Sequence, residues 1–428
     1  MLHENLTPYN TLIMMFPALL LLLSLVHRVL GELHTSSRWI LDDKDQRVKL
    51  RCANWAGHME VNIPEGLQHQ PIDAIASWIS DNGFNCVRLT YSIDMALNPS
   101  VSIKDSFNTA ASAAGVAPSA LQALYTQAAK HNPLLTTASR LDVFAAVINS
   151  LHQRGVYTIL DNHVSRASWC CNFTDGNGWW DKAQGYNDLN SRYFDTDAWH
   201  RGLEAMAHFA SSQAGVVGMS LRNELRAVPL IQDLNAHADW YDQMTQAAQK
   251  VHDTNPAVLI ILGGVNGATD LSFLRINPLD AGNWAQKLVW EFHAYAFSVT
   301  QPNPGRHCNV ASTEYGASNG FLLTQEKDYT GPLFLSEFGV AMNGGGDETS
   351  GLSEDDLGYL KCLVEYMESN DAEWAVWALQ GSYYVRDGEV NMDESFGLLT
   401  KDWSSWRNPR FHGLLGGMWD VKQGPGKE

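Results

Sequence analysis

The chain is short of positive charge. Its 428 residues carry 29 Lys and Arg against 47 Asp and Glu, a net charge of −18, and the cations are nowhere clustered. A nucleic-acid backbone or an anionic membrane surface would call for such a cluster, so neither is an expected partner, and a neutral substrate suits the balance better. No Gly-rich phosphate loop follows any apolar run, which removes the usual reason for an open nucleotide-binding sheet. No HExxH or spaced Cys pair accompanies the histidines, so no metal and no cofactor is expected. Internal repeats and long charged tracts are also lacking, and 45% hydrophobic with 18% charged residues is an ordinary globular balance.

No apolar run reaches the ~20 residues of a comfortable bilayer span. The longest, 12–26, has the length of a secretion signal, and Val29-Leu30-Gly31 offers compact residues for cleavage. Residues 1–31 therefore read as a signal peptide and 32–428 as one folded domain, expected outside the cell as a monomer free of the membrane. The stretch before the run carries Glu4 and no Lys or Arg, which leaves an uncleaved signal anchor as the alternative. Six cysteines, at 52, 86, 170, 171, 308 and 362, permit disulfides in such a chain. Adjacent Cys170 and Cys171 are poorly placed to bond each other, so one of them is expected to reach a loop cysteine such as Cys308. Asn172-Phe173-Thr174, beside them, is a glycosylation sequon.

What is present is alternation. Eight short β-rich apolar runs, at 48–56, 84–91, 157–163, 216–225, 257–264, 288–295, 333–340 and 374–379, are separated by stretches with apolar residues at helical spacing, at 71–82, 139–154, 197–211, 239–253 and 353–368. Strand and helix repeated eight times predict an α/β fold closed as a (β/α)8 TIM barrel; an open doubly wound sheet shares the alternation but lacks its phosphate loop here. Two connections, 92–138 and 164–196, are long and read as loops walling the C-terminal mouth of the barrel. The second carries Trp169, Trp179 and Trp180. Trp179 and Trp180 are candidates for indole platforms under sugar rings, with burial in the core as the competing assignment.

Two of the runs end on a carboxylic acid. The fourth delivers Asn223-Glu224 and the seventh Glu337, and two acids at the mouths of two barrel strands are what acid-assisted glycosidic cleavage needs. The other strand ends add Arg88, His163, His293, Tyr295 and Trp377. Each alone reads as a barrel ion pair or a satisfied interior side chain. Together they fall at one end of their strands, which a structural role does not explain.

In this order and strand context Arg88, His163, Asn223-Glu224, His293-x-Tyr295, Glu337 and Trp377 resemble the active-site set of glycoside hydrolase family 5, the cellulase family. Leu379-Gln-Gly-Ser-Tyr-Tyr384 and Asp393-Glu-Ser-Phe-Gly-Leu-Leu399 are similar to a eukaryotic branch of it. The likeness runs from about Arg38 to Phe411, with one departure: Leu225 stands where the family commonly has Pro. The resemblance implies a retaining hydrolase of a β-linked oligo- or polysaccharide, with Glu224 as acid/base, Glu337 as nucleophile, Asn223 on the sugar 2-hydroxyl and Trp377 beneath the sugar. An exo-acting β-glucosidase or β-mannosidase, a glycolipid glycosidase and a non-catalytic carbohydrate-binding barrel are the alternatives.

Overall fold

Runs of four to eight residues that are apolar on both faces can only be buried on both faces, and here they are. In the computed structural model, which describes residues 31–296, 308–342 and 349–426, eight parallel strands close on one another. They are β1 (Arg51–Trp55), β2 (Cys86–Ser92), β3 (Tyr157–Val164), β4 (Val216–Ser220), β5 (Leu259–Gly263), β6 (Leu288–Ala294), β7 (Leu333–Phe338) and β8 (Glu373–Val376), each paired with its sequence neighbours and β8 with β1. This is the (β/α)8 barrel expected from the alternation. The apolar run at 12–26 lies outside the described residues, and among those no helix is long and apolar enough to cross a membrane.

Helices α1 (Ile72–Asp81), α2 (Ile93–Leu97), α3 (Ile103–Ala114), α4 (Pro118–His131), α5 (Arg140–His152), α6 (Thr196–Ser211), α7 (Ala236–Thr254), α8 (Cys308–Ser318) and α9 (Glu354–Asn370) surround it. Their starts are marked by side-chain caps, such as the reciprocal Ser139–Asp142 capping box of α5 and Ser353 on α9. The β5–β6 connection carries only short turns, Val265–Ala268, Ser272–Arg275 and Gly282–Lys287.

Three expectations need correction. The connection 92–138 is not a loop but a helical insertion, because its alanines are strong helix formers and Phe107, Ala110, Ala111, Leu121, Leu124 and Ala128 bury one face. Gly115, at φ 68°, stops α3, and Pro118 opens α4. Neither Cys170 nor Cys171 reaches Cys308. Cys308 on α8 is bonded to Cys362 on α9 outside the barrel, Cys52 to Cys86 across the β1–β2 register, and Cys170 to Cys171 in the β3 loop, on the cleft side. Trp179 and Trp180, finally, present no surface to a substrate. Both are fully buried, Trp180 with its ring 4.8 Å from Trp179, 5.5 Å from Phe194 and 5.8 Å from Trp199.

The opposite end of the barrel is sealed by the C-terminal residues. Trp374 donates to the Met418 carbonyl at 2.9 Å, Arg51 to that of Trp419 at 2.8 Å, and Lys49 spans Asp371 and the Asp420 carbonyl. One end is closed and the other left open.

Trp180→Ala tests the reassignment. Truncating a fully buried indole is expected to lower stability to urea by about 3–5 kcal/mol, while KM for short and long oligosaccharides changes in the same proportion. A selective loss on long substrates would return Trp180 to the cleft.

Candidate active site

Side chains alternate across a strand, so the barrel interior can be climbed in steps of two. The lowest step is apolar: Cys52, Cys86, Ile159, Val217, Ile261, Val289, Phe334 and Ala375 pack together. Two residues further along, the same strands bring Asn54, Arg88, Asp161 and Glu291 inside, with Ser220 beside them, all fully buried. The next step reaches the mouth with His163, His293 and Trp377. Glu337 joins them through a local irregularity: β6 and β7 pair Phe292 with Leu335 but His293 with Glu337, so Ser336 is the extra residue of a bulge. A bulge re-aims the side chain that follows it, here an acid.

Arg88 ties these levels together. Nη1 donates to Asn54 Oδ1 at 3.0 Å and Glu337 Oε1 at 2.8 Å; Nη2 donates to Asp161 Oδ1 at 2.8 Å and Asn223 Oδ1 at 3.1 Å. The Tyr295 hydroxyl donates to the other Glu337 oxygen at 3.0 Å. His293 Nδ1 lies 2.9 Å from Glu224 Oε1 and 3.6 Å from Glu337 Oε2. A carboxylate oxygen of Glu224, one of Glu337 and a ring nitrogen of His293 all fall within 4.8 Å of one another. His163 shares a 2.6 Å hydrogen bond with Asp161 and stacks 5.3 Å from Trp377.

Glu224 stands four residues beyond β4, with its backbone in the left-handed region at φ 36°. Two contacts hold that turn: Gly267 N–H donates to the Leu225 carbonyl at 2.8 Å, and Arg226 to that of Glu224 at 2.5 Å. Leu225 is itself buried. The mouth opens into a cleft of about 510 Å³, walled by Trp169, Cys170, Cys171, Phe173, Arg386 and Phe396 over the two acids. The indoles that face it are Trp377 and Trp169, the latter under the Arg386 guanidinium at 3.4 Å and edge-on to Trp377 at 6.2 Å.

The glycosyl hydrolase family 5 cellulase model matches residues 42–382. A "Glycosyl hydrolase 5 family protein" of Chamaecyparis obtusa is 36% identical over 94% of this chain and 68% of its own. The chain belongs to glycosyl hydrolase family 5. Similar at greater distance are a protein of Paenibacillus polymyxa named an endoglucanase, 23% identical over 89% of this chain and 86% of its own, and the structure of a hyperthermophilic endocellulase from the archaeon Pyrococcus horikoshii. The latter superposes with a TM-score of 0.69 at 16% identity over 91% of this chain and 98% of that one, a likeness of fold.

In this family 5 glycosidase, of the ten site positions named from the sequence, the eight strand-end ones converge on one mouth and Trp179 and Trp180 do not. Asp161 and Glu291 escaped notice. The signal was available, since each stands two residues before a histidine already placed at the mouth and so shares its face. Trp169 was visible in the loop but outweighed by the Trp179-Trp180 pair; two adjacent indoles with Phe194 and Trp199 to pack on form a core.

Burial pushes the Glu224 and Glu337 carboxyls up to about 7. Their surroundings then separate them. Glu337 receives a guanidinium and a phenol hydroxyl, both of which favour its anion, whereas His293, held below its ordinary range by burial, faces Glu224 as a neutral ring. The proton of the pair belongs on Glu224. Arg88 stays a cation because Asp161, Glu291 and Glu337 outweigh its burial, and burial with the nearby Glu337 and Glu224 keeps Tyr295 a neutral phenol.

Tyr295→Phe isolates one contact. Removing a hydrogen bond to a charged group costs about 1.5–3 kcal/mol, equivalent to roughly one to two pH units, and the loss falls on the anionic form of Glu337. Its pKa rises, so the acidic limb of kcat/KM is expected to move to higher pH by about that amount. An unmoved limb would mean that the phenol does not support the Glu337 charge.

Proposed function

We propose that the protein is a retaining hydrolase of a β-linked glucan, working by double displacement. The observation that carries this is the approach of the two acids, whose nearest oxygens lie within 4.8 Å with His293 beside them. Retaining glycosidases hold their carboxyl groups about 5–5.5 Å apart, and inverting ones leave a wider gap for water. In the first step Glu337 attacks the anomeric carbon as the bond to the leaving oxygen breaks, and the proton of Glu224 passes to that oxygen. In the second, water gives a proton to Glu224 and its oxygen to the anomeric carbon, freeing Glu337. Asn223, its amide oxygen held by Arg88 and its nitrogen 3.3 Å from His163 Nε2, lines the cleft as the group to meet the sugar 2-hydroxyl, whose hydrogen bonds strengthen in the transition state. Trp377 and Trp169 offer indole faces to the rings on either side.

Support for a glucan comes from the relatives, one named an endoglucanase and one described as an endocellulase. The apolar run at 12–26 and the three disulfides support export. N-terminal sequencing of protein from its native source is expected to begin near residue 32; recovery of Met1 in a membrane fraction would establish an uncleaved anchor instead.

Three outcomes are expected of the chemistry. Proton NMR shows the β-anomer of the product first, and a 2-fluoro glycoside with a good leaving group labels Glu337. Glu337→Ala loses nearly all turnover, while Glu224→Ala still accepts activated aryl glycosides in the first step and stalls in the second. The α-anomer appearing first would rule out retention; a label on another residue would keep retention and reassign the nucleophile.

A further inference from the structure

The wall of the cleft nearest Glu224 is made of sulfur. Cys170 and Cys171 line it in the loop after β3, and a sulfur of each lies with a Glu224 carboxylate oxygen inside a 4.8 Å triangle. Stability does not explain the pair. The bonds Cys52–Cys86 and Cys308–Cys362 constrain the unfolded chain across separations of 34 and 54 residues, whereas a bond between neighbours closes no loop. The segment is anchored by other means: Arg226 Nη2 pairs with Asp175 at 3.0 Å, the Asn177 side chain accepts the Ser165 and Arg166 N–H groups at 3.0 Å, and Arg222 donates to the Asn177 carbonyl.

The sulfurs are also surrounded by donors. The Asn223 amide lies 3.6 Å from each and Arg226 Nη1 3.5 Å from Cys170 Sγ. Two thiolates and a carboxylate are a donor set for zinc or cadmium, with the open cleft as the fourth position. The opposite acid, with His293 and Glu224, forms a second triangle of the same size, but of harder donors.

We propose that Cys170 and Cys171, once reduced, bind a soft divalent cation together with Glu224, and that the bound cation silences the enzyme by occupying the carboxylate that protonates the leaving oxygen. The silencing rests on the role given to Glu224 above; the binding does not. A phosphine reductant supplies the two electrons that break the S–S bond and leaves as its oxide with the oxygen of one water, whose two protons go to the sulfurs. The cation then forms two metal–sulfur bonds and one metal–oxygen bond, releasing the thiol protons and any proton on Glu224 to solvent.

Stoichiometric cadmium, and separately zinc, added to the full-length enzyme before and after phosphine treatment tests this. In the reduced enzyme cadmium is expected to bind one per chain with a cadmium–thiolate absorption band, and turnover to fall about tenfold or more relative to the metal-free rate. The untreated enzyme is expected to show no band and to keep its rate. Cys170→Ser with Cys171→Ser, compared with its own metal-free rate, should lose both responses. Glu224→Gln, which keeps the sulfurs, should keep the band while cadmium affinity drops about tenfold or more. Equal inhibition with and without reduction, or in the double serine variant, would place the cation on Glu224, His293 and Glu337 and overturn the proposal. So would the absence of a band in the reduced enzyme. Cadmium affinity lowered by Glu224→Gln, together with turnover of the reduced native enzyme that bound cadmium leaves unchanged, would support the site and count instead against Glu224 as the acid.

Discussion

One buried guanidinium holds the mouth of this barrel together. Arg88 reaches Asn54 on β1, Asp161 on β3, Asn223 beyond β4 and Glu337 on β7, so a single planar group ties together side chains from four elements around the mouth. Burying charge of this kind is expensive, and a well-packed apolar replacement often leaves a fold as stable or more so. Its value here is geometric. The fork of Arg88 fixes the plane of the Glu337 carboxylate and the orientation of the Asn223 amide with the same hydrogen bonds, an arrangement a point charge such as Lys could not reproduce.

The polar step is possible because it is sandwiched. Beneath it lies the apolar step at the barrel bottom, and outside it the helices pack on a continuous layer of Leu, Ile, Val, Trp and Phe side chains. Stability therefore resides in the outer layer and the lower barrel, which frees the upper interior for buried acids and the guanidinium that ties them together. The Glu224 and Glu337 carboxyls, buried and close to each other, do not both stay ionised in so dry a setting, and a proton stays on the pair.

Much of this was legible in the sequence because each signal was local and repeated. Short β-rich apolar runs marked all eight strands, and the polar or aromatic residues closing six of them marked the mouth. What failed had a common cause. The alanine- and serine-rich stretch 109–120 looks like loop until the packing of Phe107 is known, on Tyr125 of the next helix at 5.8 Å and on distant Tyr384 at 4.9 Å. Trp179 and Trp180 look like platforms until Phe194 and Trp199 fold over them. The pairing of Cys308 depends on α8 and α9 lying side by side, which no spacing encodes. The bulge at Ser336, which turns Glu337 inward, left no mark in the residue pattern.

The division between barrel and loops also says where specificity resides. The side chains that hydrogen-bond the two carboxyl groups, Arg88, His293 and Tyr295, come from a strand or its first residue beyond, so these contacts inherit the rigidity of the closed sheet. The groups that face the remainder of the cleft, Trp169, Phe173, Arg386 and Phe396, come from the segments after β3 and β8. Those segments are braced against each other, Arg386 lying across the Trp169 ring while pairing with Glu394 at 2.9 Å, and Glu394 in turn accepting from Tyr383 at 2.6 Å. If the cleft holds the glycan as proposed, its shape is read by this interlocked pair of loops. A change at Arg386 is then expected to alter which glycan is held, through the position of the Trp169 indole, while the hydrogen bonds of Arg88, His293 and Tyr295 to Glu224 and Glu337 stay in place.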